Sequence, residues 1–301
     1  MGILPRFFFH SFFLFFTYSS LILDFAIAES PVYDNPLFAL ESSAAMKVIS
    51  LQSGSNGNCI YVQSRGVRLL LDAGISGLQA ERRLAQHGIN IRHVDGVIIS
   101  HDHSDHSRCA GVYHRKFGLK VYATAKTLAA AGRYQALGDF REVTYFEPGR
   151  NLDFGSISVA TVPTPHDAAD GVVFVIASGD KRLGVLTDLG HVFDGLGELV
   201  SSLDAVLLES NYDVDMLEQG PYPPMLKRRI AGPGGHISNE ESAGLLRHAF
   251  SQGRLRWACL AHLSEQNNHP QVAMATHRAT LEAHREILVA SRYEASDLME
   301  V

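Results

Sequence analysis

Residues 100–106 read Ser-His-Asp-His-Ser-Asp-His. As core, His101, His103, Asp105 and His106 would desolvate and repel at high cost. As ligands, their lone pairs suit a borderline divalent cation such as zinc or manganese. His101 and His103, two positions apart, can converge on one ion from a tight loop. Asp105 and His106 can face a second ion beside it. The bland alternative is a solvated histidine-rich loop. Against it stand three single residues at similar places: His166 in Thr-Pro-His-Asp, Asp188 in Leu-Thr-Asp-Leu-Gly and His262 in Leu-Ala-His-Leu-Ser. Alone, each would be a cap or a surface residue; beside the cluster, each gains weight as a further ligand.

Other segments carry weaker signals. Glu209 ends the apolar run Ala-Val-Leu-Leu-Glu, and His236 follows Gly-Pro-Gly-Gly. A histidine backed by a carboxylate can act as a general acid near neutral pH; the plain alternatives are a strand-end charge and loop packing. Lys227-Arg228-Arg229 is the densest basic run. It is either a solvated helix face or a set of cations that positions phosphates without reading sequence. Ser53–Asn58 is a Gly/Ser/Asn loop without the Gly-Lys-Ser of a phosphate-binding P-loop. It is expected to join two strands at the rim of the site. Ser238 with Glu241 fits a helix capping box. Cys59, Cys109 and Cys259 are too few and scattered for a disulfide framework.

These residues need elements that bring them together. Val48–Gln52, Cys59–Gln63 and Val67–Leu71 read as strands, followed by an amphipathic helix over Gly77–His87. Gly96–Ser100 is a buried strand, Ser107–Phe117 a helix, and Lys120–Ala123 a strand. Strands follow near Leu152–Phe154 and Ile157–Val162. Gly171–Ser178 and Arg182–Leu186 form a hairpin, and Ala205–Glu209 another buried strand. Val214–Gln219, Pro224–Ile230 and Asn239–Phe250 read as helices. Leu255–Ala261, a helix over Pro270–Ala283 and a strand over Ile287–Ala290 complete the pattern. Two runs of strands interleaved with helices predict an α/β fold, an αββα sandwich of two mixed sheets with helices on both outer faces. Nearly every candidate ligand then lies just after a strand.

The 301 residues are 46% hydrophobic and 19% charged, which excludes intrinsic disorder. The net charge of −6 argues against a broadly basic DNA-coating protein. Residues 1–45 differ from the rest: eight of the 16 Phe lie between Phe7 and Phe25, after Arg6 and before Ala26-Ile27-Ala28. That grammar is signal-like. The other reading is a native start at Met46, which directly opens the first strand, with residues 1–45 as a non-native extension. The expected organisation is therefore an apolar segment and linker over 1–45 and one hydrolase domain over 46–301. A cytoplasmic location follows from a start at Met46. Export or membrane anchoring through residues 1–28 follows only if the segment is real.

His-Asp-His-Ser-Asp-His with the later single ligands resembles the metallo-β-lactamase superfamily. The strings Ser53–Asn58, Leu69–Gly74, His166–Asp170, Leu207–Asp213, Tyr222–Ile230, Gly235–Glu241 and Ala261–Asn268 are similar to the YycJ/WalJ-type, ribonuclease-Z-like branch. The resemblance covers about residues 46–290. It implies that His101, His103 and His166 bind one divalent ion, that Asp105, His106 and His262 bind a second, and that Asp188 bridges both. It implies that Asp72 orients a ligand histidine from behind, although the same Asp could simply form a turn. It implies a phosphodiesterase, with DNA the favoured substrate, no stable protein partner, and a hydroxide between the two ions as nucleophile. Glu209 and His236 would pass a proton to the leaving oxygen. Asp188 stands where many zinc β-lactamases carry Cys. Only 74 positions separate Asp188 from His262, too few for the large inserted domain of the superfamily's RNA-processing nucleases. Two other readings stay open: a hydrolase of a small ester, thioester or lactam on the same metals, and a catalytically silent regulatory module.

Overall fold

Apolar side chains alternate along most strands on both faces, so each sheet must be covered twice. The computed structural model describes residues 45–301, and the expectation for the N-terminal apolar segment lies outside them. The first sheet is built from β1 (Lys47–Gln52), β2 (Cys59–Ser64), β3 (Val67–Leu71), β4 (Gly96–Ile98), β5 (Lys120–Ala123) and β6 (Val143–Tyr145). The second uses β7 (Asn151–Asp153), β8 (Ser158–Pro163), β9 (Val172–Ser178), β10 (Lys181–Leu186), β11 (Ala205–Glu209), β12 (Trp257–Ala261) and β13 (Glu286–Val289). The last strand, β14 (Met299–Glu300), returns to the first sheet beside β1. The orders are β14-β1-β2-β3-β4-β5-β6 and β13-β12-β11-β10-β9-β8-β7.

The helices are α1 (Gly77–Gln86), α2 (Ser104–Ser107), α3 (Ala110–Val112), α4 (Ala125–Tyr134), α5 (Leu196–Ser201), α6 (Val214–Gln219), α7 (Pro224–Ile230), α8 (Asn239–Ser251) and α9 (Pro270–Thr280). Val48, Val62, Leu69 and Leu71 of the first sheet pack with Val159, Phe174, Leu183 and Leu207 of the second, forming the layer between the sheets. Ile49, Tyr61, Leu70 and Val97 face outward against Leu84 of α1 and Tyr113 and Phe117. Val175, Leu186, Val206 and Leu208 face outward against α5, α8 and α9 through Leu196, Val200, Leu246 and Ala273. The expected αββα sandwich is the observed architecture.

Two differences matter for the site. The single helix expected over Ser107–Phe117 is instead α2, α3 and a π-helical turn at Tyr113–Phe117. Cys109 N–H donates to the Ala73 carbonyl, which pins the chain between α2 and α3. The first turn therefore starts at Ser104 and carries Asp105 and His106. Strands β6 and β14 and helices α4 and α5 are additional to the sequence expectation.

The topology aligns the working end. Strands β3, β4 and β5 run parallel, as do β10, β11, β12 and β13. Their C-terminal ends release Asp72, His101, Asp188, Glu209 and His262. Loops at this end of open parallel sheets form a crevice for ligands.

Candidate metal centre

Strand ends aim these residues through their backbone conformation. Asp72, Asp188 and His262 adopt left-handed φ of 65°, 60° and 55°. Non-glycine residues rarely take this conformation, and where they do it concentrates at functional sites. Each turns its side chain off the strand line and into the crevice. Gly74 permits the close packing of the first loop. A Cβ there would lie 1.6 Å from the Asp105 carbonyl oxygen. The Asn58 N–H donates to that carbonyl at 2.7 Å, and the Ala73 N–H to the His106 carbonyl at 2.7 Å.

The structure brings all seven expected ligands together. His101, His103 and His166 offer donor atoms within 4.8 Å of one another; so do Asp105, His106 and His262, and so do His101, His106 and Asp188. His166 Nε2 lies 3.2 Å from His103 Nδ1. His262 Nε2 lies 3.3 Å from Asp105 Oδ2 and 3.6 Å from Asp188 Oδ1. His106 Nε2 lies 3.2 Å from Asp188 Oδ2. Asp188 thus stands between the two sets.

Two observations fit this donor set to cations. His101 Nε2 is buried and lacks a hydrogen-bond partner, and buried Asp188 Oδ2, although 3.2 Å from His106 Nε2, makes no well-formed hydrogen bond. Buried polar atoms in native folds are almost always satisfied, so orphans at the convergence of lone pairs point to an ion. The far nitrogens are also spoken for. Asp72 Oδ2 accepts from His106 Nδ1 at 2.7 Å and from Ser100 Oγ at 3.0 Å. Because the Ser100 hydroxyl gives its proton to Asp72, it accepts from His101 Nδ1 at 2.9 Å. His166 Nδ1 donates to the Gly235 carbonyl at 2.8 Å. Each bond leaves an Nε2 lone pair facing inward, which is how outer partners orient ligating histidines.

Without ions, charge is balanced within the cluster. Burial works against charge on His106, but Asp188, Asp105 and Asp72 hold its pKa well above the usual histidine value. Burial likewise opposes charge on His262, but Asp188 and Asp105 push it up to about 10. For Asp188, burial favours the neutral form, yet His262 and His106 keep it well below the ordinary carboxylate range. Asp105 is held low in the same way, against burial, by His106 and His262. For His101 the balance goes the other way: burial first, then neighbouring His106, outweigh Asp188 and drive it well below its usual value.

Glu209 and His236 stand beside this cluster. His236 Nδ1 lies 2.6 Å from Glu209 Oε1, and Glu209 is fully buried. Glu209 Oε2 accepts from the Leu189 N–H at 3.0 Å. Burial raises the Glu209 carboxyl, but His236 outweighs it and brings the pKa down to about 2. Glu209, His236, Asp188 and His262 also fall within ligand distance of one another. The engagement of both Glu209 oxygens suits it to hold His236.

The basic run lies on α7. Arg229 makes a two-pronged pair with Asp167, at 2.6 and 3.0 Å. Asp167 Oδ1 is 3.7 Å from His166 Nε2 and 3.9 Å from His103 Nε2. Lys227 Nζ donates to the Glu218 carbonyl, and Arg228 is exposed. Ser53–Asn58 joins β1 to β2 and reaches the ligands: Asn58 Nδ2 lies 2.9 Å from His106 Nε2, and Ser53 Oγ accepts from the His262 N–H. Sequence reasoning does not single out Asn58, Ser100 or Asp167 as site residues. Ser100 and Asp167 each adjoin a ligand, and Asn58 sits in a Gly-rich turn; those are the signals the sequence holds for them.

Two mixed seven-stranded sheets between helices, with a His/Asp cluster at the strand ends, define a metallo-β-lactamase fold. Residues 67–252 match the family described as the beta-lactamase superfamily domain. The chain is 36% identical over 232 residues to exodeoxyribonuclease YycJ of Bacillus anthracis, covering 77% of this chain and 88% of that protein. It is 35% identical over 237 residues to exodeoxyribonuclease WalJ of Streptococcus pneumoniae serotype 2, covering 78% and 88%. The crystal structure of the metallo-β-lactamase fold protein YhfI from Bacillus subtilis superposes with a TM-score of 0.65 at 17% identity, covering 85% of this chain and all of that one. The chain belongs to the metallo-β-lactamase superfamily, in the branch of YycJ and WalJ.

Proposed function

We propose that this protein is a metal-dependent DNA exonuclease. The observation that carries the reading is the likeness to two proteins named exodeoxyribonucleases, extending over 88% of their lengths. The site supplies chemistry to match. His101, His103 and His166 would hold one divalent ion, Asp105, His106 and His262 a second, with Asp188 shared. Two ions so held would supply a hydroxide nucleophile at neutral pH and neutralise charge on the phosphoryl oxygens. Zinc and manganese both suit the donors.

The chain's own residues do the rest. His236 keeps its Nδ1 proton on Glu209, which leaves Nε2 for the substrate. From there it gives a proton to the leaving oxygen as the phosphorus–oxygen bond breaks. Ionised Glu209 stabilises the imidazolium before transfer and fixes the ring. Arg228 and Arg229, with Lys227 behind them, set the strand by its phosphates. Asp72 holds His106 directly and His101 through Ser100.

The test uses the full chain loaded with Mn²⁺ or Zn²⁺ and end-labelled single-stranded and duplex DNA, beside Asp105→Ala. Metal-dependent release of end nucleotides, abolished in the variant, supports the proposal. Two bound ions without cleavage of DNA would overturn it and direct attention to thioesters and lactams.

A further inference from the structure

One guanidinium near the centre, that of Arg292, is held by no hydrogen bond; it lies over the Tyr293 ring, 5.8 Å from its centroid. Arg292 Nε, Nη1 and Nη2 are all shielded from solvent, and none has a hydrogen-bond partner. A guanidinium is permanently charged and carries five N–H donors in a planar fork. Left unpaired out of water it is costly, so something is expected to meet it. The local backbone already holds the segment. The Arg292 carbonyl accepts from Asn56 Nδ2 at 3.0 Å, and the Ser291 carbonyl accepts from the Ser53 N–H at 3.0 Å. The donors of the side chain take no part in this and stay unbonded.

Its surroundings favour an anion. Glu265 Oε2 is 3.8 Å from Nη1, an ion pair too long for a hydrogen bond. Glu265 is 54% exposed, and its other oxygen accepts from the Tyr293 hydroxyl at 3.2 Å. It is a displaceable carboxylate on the outer side. On the inner side, Gly54 takes a φ of 153°, and a Cβ there would come within 3.2 Å of Arg292 Cβ and 3.4 Å of Nη2. Glycine lets the loop lie close against the guanidinium, which leaves the Glu265 side as the approach. Asn56 Oδ1 on the same loop is also buried without a hydrogen-bond partner. Arg108 Nη2 donates to the Asn56 carbonyl at 2.6 Å, which places a second guanidinium on the same loop.

This loop leads straight to the ligands. The Gly54 N–H donates to Asn58 Oδ1 at 2.9 Å, and Asn58 Nδ2 is 2.9 Å from His106 Nε2. Arg292 therefore flanks the Asp105–His106–His262 side, whereas Arg229 flanks the side of His103 and His166. A strand laid across the centre would meet a guanidinium on each side.

Resting on the nuclease reading, we propose that Arg292 seats a phosphate of the bound strand other than the one being cut, and that Glu265 holds its place in the free protein. Guanidinium pairs with phosphate through two parallel hydrogen bonds, a geometry that Glu265 does not achieve here. Such a seat fixes register on the strand without reading its bases.

The experiment measures kcat and KM of the full-length, metal-loaded protein on single-stranded DNA and on bis(p-nitrophenyl) phosphate, which has one phosphate only. Arg292→Gln should raise KM for DNA about tenfold, the worth of one charged hydrogen bond, and cut preference for DNA over the minimal diester by the same factor. Arg292→Lys should recover part of it, and Glu265→Gln should lower KM for DNA. DNA with a 5′-phosphate and with a 5′-hydroxyl separates the sources. A loss confined to the first assigns a terminal phosphate, and an equal loss an internal one. Equal losses on DNA and the minimal diester, or no loss on either, overturn the proposal. Should the wild type cut the minimal diester and not DNA, the nuclease reading fails by itself. Titration of the Arg292 Nε–Hε resonance with inorganic phosphate then decides the seat: a saturable shift keeps it, and an unmoved resonance removes it.

Discussion

Asp72 accepts from His106 directly and from His101 through the Ser100 hydroxyl, so one carboxylate orients candidate ligands of both proposed ion sets. Asp72→Asn keeps the shape and tolerates the left-handed backbone, but it offers an amide to His106. Metal affinity is expected to fall about 10- to 100-fold, measured by chelator competition; unchanged affinity would remove Asp72 from the machinery. His236→Gln should lower kcat on DNA by about 10²- to 10⁴-fold while bound metal stays at wild-type content. A matching loss of metal would instead make His236 a ligand. The charge balance sets the pH response. With His262 raised to about 10, the metal-free protein carries a proton there at neutral pH, and His106 carries one for the same reason. Their stabilisation is full below the unfolded value of about 6.5 and is lost as pH rises through the folded value. Metal-free protein should therefore lose thermal stability from about pH 7 to 10, and loading at pH 7.5 should release protons. Calorimetry in buffers of different protonation enthalpy checks this; a buffer-independent heat would contradict it.

At the level of elements, the turn after β3 and the ligand-bearing α2 are packed as one piece. Gly74→Ala would drive a methyl into the Asp105 carbonyl, so Asp105 and His106 must shift. The expected result is a loss of about 1–3 kcal/mol in stability together with weakened metal binding, read by thermal unfolding with and without metal. Stability loss with unchanged metal affinity would separate the two. Ser238 caps α8 with Glu241, as their spacing predicts, and Ser238→Ala should cost about 1 kcal/mol. The sequence is legible where patterns are local. His-x-His-x-Asp-His is contiguous, and β2, β3 and β11 are apolar runs ended by turn residues or charge. It is illegible where tertiary contacts decide. Helix α4 reads Ala-Lys-Thr-Leu-Ala-Ala-Ala-Gly-Arg-Tyr, whose small residues give a faint helical face. Strand β6 is a short and largely exposed edge. The break between α2 and α3 depends on Ala73, far back in the chain. The unbonded guanidinium of Arg292 shows only once Gly54 is beside it.

For the molecule as a whole, substrate binding should answer to salt. Replacing Arg228 and Arg229 with Gln should flatten the slope of log affinity against log salt on single-stranded DNA, by about 0.7 for each phosphate that is no longer neutralised. Fluorescence anisotropy from low to moderate salt measures it, and an unchanged slope would return α7 to a solvated face. The candidate ligands come from both sheets: His101, His103, Asp105 and His106 follow a strand of the first, while His166, Asp188 and His262 follow strands of the second. Each ion set draws on both. Bound ions would then act as rivets between the two halves of the sandwich. Parting the halves and releasing the ions become one event, so the rate at which metal exchanges should match the rate at which the interior becomes open to proteases.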